Sequence, residues 1–297
     1  MTHRIKGVVP VMVTPLDKEG GIDKVAVEKL IDHLVDSGCG AIWLLGSTGE
    51  DINLTLENRK ELISVAANAA KGKIPVLAGT GESNVDSILN VIDEMPDEGI
   101  SGVHAIYRDT KQGEDRVVSE IRRLADNSRF PIWLYNNVKR GRELTPNILR
   151  RVRSHPNIHG VKYGAFYHMP LIRAAMLQTD NFQVMSAGNF FFSLLCFGGV
   201  ASTTSEANCW PEEYVKLYNL FNEGRLKEAR EQQFRLIELA SEIPRTDNGE
   251  NCAEEKYILS MRGICSEYVN SAYRIMTDQE KEQIRNVLVN YGFNWVS

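Results

Sequence analysis

Ile158-His159-Gly160-Val161-Lys162-Tyr163 is one of eight short apolar runs that recur along this chain at intervals of roughly thirty residues. The others lie at 7–15, 41–45, 75–78, 102–107, 131–135, 182–186 and 199–204. Between them stand amphipathic stretches such as 24–35, where apolar residues repeat at helical spacing behind an N-cap-type Asp23. Strands alternating with helices imply right-handed βαβ units and a parallel sheet. Eight such units predict an α/β fold, a (β/α)8 TIM barrel, over residues 1–224. After Pro211 the strand signal does not return. Helical patterns at 212–221, 226–243, 252–263 and 278–291 follow, two of them separated by the turn-like stretch 244–249, and predict a C-terminal helical extension over 225–297.

With 297 residues, 43% of them hydrophobic, and a net charge of −5, the composition is that of an ordinary globular protein. Clustered Lys and Arg of the kind that neutralise phosphates are missing, so no nucleic-acid partner is expected. No apolar run approaches membrane-spanning length, and the first residues lead into a strand without a secretory apolar segment, which predicts a cytoplasmic protein with no membrane partner. Cys39, Cys196, Cys209, Cys252 and Cys265 are scattered and form no C-x-x-C pair, as expected of reduced thiols. His155 and His159 have a ligand-like spacing, but Pro156 intervenes and no third ligand is near, so no metal is expected. The glycine motifs that cradle nucleotides are also missing, and no cofactor is expected.

Lys162 places an ammonium group in an otherwise apolar strand. Period-2 alternation would put Ile158, Gly160 and Lys162 on one face, with Gly160 clearing space beneath the lysine stem. Desolvation lowers a lysine pKa and exposes a nucleophilic amine, the requirement of a Schiff-base lysine; a lysine at a strand end can equally snorkel to water. In a TIM barrel the catalytic groups gather at the C-terminal ends of the strands. Those ends carry Gly46-Ser47-Thr48-Gly49-Glu50, Tyr107, Tyr135-Asn136-Asn137, Lys162 and Ser186-Ala187-Gly188-Asn189. The backbone and hydroxyls of Ser47 and Thr48 could converge on a carboxylate, or simply form a tight turn. Gly188 is expected on the substrate side, and Tyr135 is either a proton relay beside Lys162 or a strand aromatic with a satisfied hydroxyl.

In this order and at these separations, Gly46 to Glu50, Tyr135-Asn136 and Gly160-Val161-Lys162 resemble the dihydrodipicolinate synthase and N-acetylneuraminate lyase family of class I, pyruvate-handling aldolases. The resemblance extends over nearly the whole chain. It implies a homo-oligomer, dimer or tetramer, in which Lys162 forms an imine with pyruvate or a 2-keto acid. It makes Tyr135 the acid/base, while Ser47 and Thr48 hold the keto-acid carboxylate and help relay protons. Tyr107, five residues before Gln112, matches the synthase-branch tyrosine that reaches into the neighbouring subunit's site. Arg140, five after Tyr135, matches the arginine that grips the second substrate's carboxylate. The sequence departs from the family pattern at Ala105-Ile106, at Asn137-Val138 and at Gly141-Arg142. These changes leave the aldehyde open, and Lys139, Arg140 and Arg142 fit either a more acidic substrate or a solvated loop. The expected partners are thus a small keto acid and an aldehyde. A condensation like that of 4-hydroxy-tetrahydrodipicolinate synthase, with a carboxylated aldehyde, comes first. Cleavage of N-acetylneuraminate, or cleavage or dehydration of a 2-keto-3-deoxy sugar acid, is the alternative. The non-enzymatic reading is a keto-acid-binding regulator, against which the presence of both Tyr135 and Ser47 argues.

Overall fold

In a computed structural model describing residues 4–164, 167–246 and 252–296, the eight apolar runs become eight strands. They are β1 (Gly7–Pro10), β2 (Ile42–Leu44), β3 (Val76–Gly79), β4 (Gly102–Ala105), β5 (Ile132–Asn136), β6 (Ile158–Tyr163), β7 (Gln183–Ala187) and β8 (Ala201–Thr204). All pair in parallel, in the order β1-β8-β7-β6-β5-β4-β3-β2. The two sheet edges meet at a parallel bridge between Val11 and Trp43, where the Met12 N–H donates to the Trp43 carbonyl at 3.0 Å, so the sheet curls into a barrel. Between strands run α1 (Lys24–Asp36), α2 (Leu56–Ala70), α3 (Val85–Asp93), α4 (Glu114–Asn127), α5 (Pro146–Val152), α6 (His168–Ala175) and α7 (Phe191–Cys196), with α8 (Pro211–Asn222) after the last. Asp23, Thr55, Asn84 and Thr145 cap four of them by accepting a backbone N–H of the first turn.

The strands are buried on both faces, as a parallel sheet between two packed layers requires. Outward residues such as Val103, Leu134, Val161 and Val184 pack against Leu30, Leu62, Ile121 and Ile148 of the helices. Inward residues, among them Val9, Trp43, Leu77, Trp133, Tyr135 and Met185, fill the barrel. The pairing of β5 with β6 slips by one residue, Ile132 lying opposite Ile158 but Trp133 opposite Gly160. Such a bulge reverses the alternation. Ile158 therefore joins Val161 and Tyr163 in the outer core, and of the three residues expected on one face only Gly160 and Lys162 look inward. Nor does Gly160 make room for the lysine stem. A Cβ there would lie 2.4 Å from the Gln183 carbonyl and 2.5 Å from the Trp133 ring, which fill that space.

The C-terminal helices are α9 (Leu226–Glu242), α10 (Ala253–Met261) and α11 (Asp278–Asn290). Leu236, Leu239, Ile258, Ile284 and Leu288 share one core with Val8, Phe191 and Trp210 of the barrel. The division at 224/225 thus falls in the turn between α8 and α9 and separates topology, not packing. Of the turn at 244–249, residues 247–249 lie outside the described residues. No helix among the described residues is long and apolar enough to cross a membrane, and all five cysteines are free thiols.

The deepest link between barrel and extension is an ion pair between Glu50 and Lys256 of α10, both side chains fully buried. Lys256 also donates to the Tyr268 carbonyl at 2.7 Å, and Glu50 accepts the Asn270 N–H at 2.7 Å. Glu50 has φ +59°, a conformation that costs a non-glycine residue roughly 1–3 kcal/mol and persists only where its surroundings impose it. Replacing Lys256 with Met would leave the Glu50 charge buried and unmatched. The expected loss of stability is about 3–5 kcal/mol, read as a lower urea midpoint at unchanged slope; a loss under about 1 kcal/mol would mean that the pair does not anchor the turn.

Candidate active site

Tyr135 lies opposite Lys162 across β5 and β6, and Lys162 lies opposite Met185 across β6 and β7. Their inward side chains meet at the mouth of the barrel where the parallel strands end. Lys162 is 4% exposed, with Nζ 4.4 Å from the centre of the Tyr135 ring and 5.1 Å from that of Trp43. It sits at the floor of a cleft of about 530 Å³ whose walls include Ser47, Thr48, Tyr135, Gly188, Thr204 and Glu206. Beneath it Trp43 stacks on His104 at 4.1 Å, and His104 Nε2 donates to the Leu44 carbonyl at 2.8 Å. Burial lowers the His104 pKa to about 3, so the ring under the lysine stays neutral.

Ser47 Oγ lies 3.1 Å from Tyr135 Oη, which also accepts from Asn137 Nδ2 at 3.1 Å. Arg140 Nη1 donates to Ser47 Oγ at 2.6 Å. A guanidinium can only donate, so Ser47 accepts there and is placed to pass its own hydroxyl proton toward Tyr135. Burial pushes the Lys162 ammonium below the ordinary lysine range, and the opposing pull of Tyr135 does not cancel it. Burial pushes Tyr135 upward, but the Lys162 charge, the hydrogen bonds from Ser47 and Asn137, and Arg140 outweigh it and hold the phenol below its usual range. Both groups are therefore shifted toward neutrality, the direction that favours general acid–base chemistry.

Ser47 to Gly49 form a single 3-10 turn. The Gly49 and Glu50 N–H groups close the turn on the Gly46 and Ser47 carbonyls, and Thr14 Oγ1 donates to the Gly49 carbonyl at 2.7 Å. Ser47 and Thr48 face the cleft as expected. So does Gly188, whose φ of +65° favours glycine and whose N–H donates to the Thr203 carbonyl at 2.9 Å.

Two further expected residues are engaged or packed within their own chain. The Tyr107 ring packs into the core of its own chain, and its hydroxyl is buried with no hydrogen-bond partner among the described residues. Tyr107 follows β4, which ends at Ala105, and within the chain it is buried together with Ile106. Arg140 does reach the site, but its guanidinium embraces Asp51, with Nη2 to Oδ1 at 2.8 Å and Nη1 to Oδ2 at 3.2 Å. Arg108 holds the same carboxylate at 3.1 Å. Arg142 donates to the carbonyls of Thr110 and Gln112 and so ties two loops together, whereas Lys139 lines the cleft.

Asp51, Trp43, His104 and Glu206 were not anticipated, and Asn137 was expected only as part of the strand end that carries Tyr135. Asp51 directly follows the Gly46 to Glu50 turn, and Trp43 and His104 sit on strands at inward positions, so adjacency and alternation could have exposed them. No local pattern could have exposed Glu206, whose carboxylate is held by Arg245 from beyond α9 at 3.2 Å. Arg245 also binds Glu255 at 3.0 Å, whose pKa burial raises to about 7. No group of three or more His, Cys, Asp or Glu is arranged to hold a metal ion among the described residues. His155 is engaged by Asp126 and by the Asn157 N–H.

The sequence profile of the Dihydrodipicolinate synthetase family matches residues 4–290. The 4-hydroxy-tetrahydrodipicolinate synthase of Syntrophus aciditrophicus is 28% identical over 293 residues, covering 97% of this chain and 98% of that protein. The protein of the same name from Methanospirillum hungatei is 31% identical over 238 residues, 77% of this chain and 81% of its own length. Dihydrodipicolinate synthase from Bacteroides thetaiotaomicron has the same fold, with a TM-score of 0.91 at 24% identity over 98% of this chain and 100% of that one. So does a prophage protein of the dihydrodipicolinic acid synthase family from E. coli K12, solved in complex with pyruvate, with a TM-score of 0.90 at 24% identity over 97% and 99%.

Tyr135→Phe keeps the ring that packs against Trp43 and removes the hydroxyl. Turnover should fall by roughly 10²–10⁴-fold, the usual contribution of general acid–base catalysis, with the circular dichroism spectrum unchanged. Normal turnover in the folded variant would reduce Tyr135 to a packing residue.

Proposed function

Because this chain belongs to the dihydrodipicolinate synthetase family, whose members are class I lyases working through a lysine Schiff base, we propose that Lys162 is that lysine and that pyruvate, or a 2-keto acid that yields it, is the substrate. One observation carries the reading: a buried amine with a depressed pKa beside a tyrosine whose hydroxyl is 3.1 Å from Ser47, at the floor of a cleft. The neutral Nζ adds to the keto carbon, and the carbonyl oxygen takes protons through Tyr135 and leaves as water, forming the imine. Ser47 and Thr48 meet the carboxylate. Transfer of a C3 proton to the Tyr135–Ser47 relay gives an enamine, whose C3 bonds to an aldehyde carbon while the aldehyde oxygen takes that proton back. Water then releases the product from Lys162. Run in reverse, the same steps cleave a hydroxylated 2-keto acid. All the groups used belong to one chain.

The shared name of the relatives supports a synthase-type condensation, for which Arg140 would be the group to receive the carboxylate of an aldehyde. The geometry favours the second reading, a 2-keto acid whose far end is hydroxylated and uncharged, as in a 2-keto-3-deoxy sugar acid. Arg140 is already engaged by Asp51 and Ser47. The far wall of the cleft is built of Asn189, Thr204, Ser205 and Glu206, groups that exchange hydrogen bonds with hydroxyls.

Pyruvate with borohydride should irreversibly add the mass of a reduced pyruvyl group at Lys162, and Lys162→Ala should abolish the labelling. Labelling that maps elsewhere removes the imine reading. The pH profile supplies a second check. A lowered pKa leaves the amine uncharged where an exposed lysine, with a pKa of about 10.4, is still protonated. The midpoint of trapping should therefore lie below that pH, and a midpoint at or above it would mean that Lys162 is not desolvated.

A further inference from the structure

Asp51 is 3% exposed, and its carboxylate is shared by two guanidinium groups, Arg140 through both terminal nitrogens and Arg108 through one. Paired hydrogen bonds of this kind are the strongest that a carboxylate makes with arginine, and they use the planar fork that would otherwise receive a carboxylate from outside. Building on the imine reading above, we propose that Asp51 determines acceptor specificity: it occupies Arg140 as an internal carboxylate and so excludes a carboxylated second substrate.

The competition is unequal. Asp51 is fixed in the fold beside Arg140, whereas a substrate carboxylate must be brought from solution and ordered there. Displacing Asp51 would also leave a nearly buried carboxylate with Arg108 alone, and a buried charge that loses a partner is costly. The trio of Asp51, Arg108 and Arg140 keeps one net positive charge, which still draws an anion toward the mouth by its field. That field acts on the carboxylate that Ser47 and Thr48 receive, the one every 2-keto acid carries. Arg140 thereby becomes a positioning residue. It acts on the chemistry through its 2.6 Å hydrogen bond to Ser47, which fixes the direction in which the serine hydroxyl can donate. A neutral side chain at position 51 cannot hold the fork with two charge-assisted bonds. The position next to the Gly46 to Glu50 turn thus decides whether Arg140 faces inward to Asp51 or outward to an acceptor.

The test compares kcat/KM for two acceptors condensed with pyruvate, succinic semialdehyde as the carboxylated aldehyde and glyceraldehyde as the neutral one. Asp51→Asn keeps the side-chain size and removes the charge. It should raise the ratio of succinic semialdehyde to glyceraldehyde by roughly tenfold or more, the scale of one hydrogen bond to a charged group, with the gain appearing in the KM of the carboxylated acceptor. Adding Arg140→Gln to that variant should abolish the gain. A ratio that stays level or falls in Asp51→Asn overturns the proposal, as does a gain that survives the second substitution. If Asp51→Asn does not fold, Arg140→Gln alone decides: a ratio within about twofold of the parent supports an arginine withheld from the acceptor, and a tenfold drop overturns it. Borohydride trapping at Lys162 in the parent separates these outcomes from failure of the imine reading, which would abolish trapping altogether.

Discussion

The mouth of this barrel is organised around the desolvation of one amine. An ammonium ion taken out of water destabilises the fold unless something nearby compensates it, and an amine that has lost its proton is the nucleophile that imine chemistry needs. The barrel meets both demands with the same neighbours. Tyr135 and Trp43 present ring faces to Lys162, which accommodate its charged form, while His104 below them is held neutral and adds no competing charge. The tyrosine that steadies the cation also carries the hydroxyl that can exchange protons with it.

Charge balance is then distributed outward in a second ring. Arg140 and Arg108 converge on Asp51, and Arg140 connects that cluster to Ser47 and so to Tyr135. Within a low-dielectric pocket such a chain transmits orientation: fixing one donor fixes the next. The cluster is therefore coupled to Tyr135 through Ser47, and Asp51 reaches the amine only through others. On the opposite wall Glu206 is held from outside by Arg245, which gives the far end of the cleft a polar lining fixed from the C-terminal side.

The extension is part of the same machine for a mechanical reason. The turn that carries Ser47 and Thr48 ends in Glu50, a residue in a left-handed conformation held by Lys256 and Asn270 from beyond the barrel. A barrel without these helices would leave Glu50 exposed or unpaired, and the backbone of the turn would lose the contact that imposes its shape. Shared packing of Trp210, Leu236, Ile258 and Leu288 makes the two segments one cooperative body in that region.

The period of the apolar runs was enough to define the fold class, since eight strand-length repeats alternating with capped helices admit few topologies. That Ser47, Tyr135 and Lys162 share one end of the barrel was legible for the same reason, because in parallel βα units chain order dictates which end each strand terminus reaches. Alternation failed within β6. A one-residue bulge opposite Ile132 and Trp133 is a property of strand pairing and cannot be read from either strand alone. What Arg140, Tyr107 and Glu50 do was decided only in three dimensions. Sequence spacing places a side chain near a site, but whether it turns to a substrate, into the core or toward another residue depends on partners distant along the chain. Asp51 and Lys256 occupy those positions for Arg140 and Glu50, where burial makes the pairing obligatory, while the Tyr107 ring packs into the core.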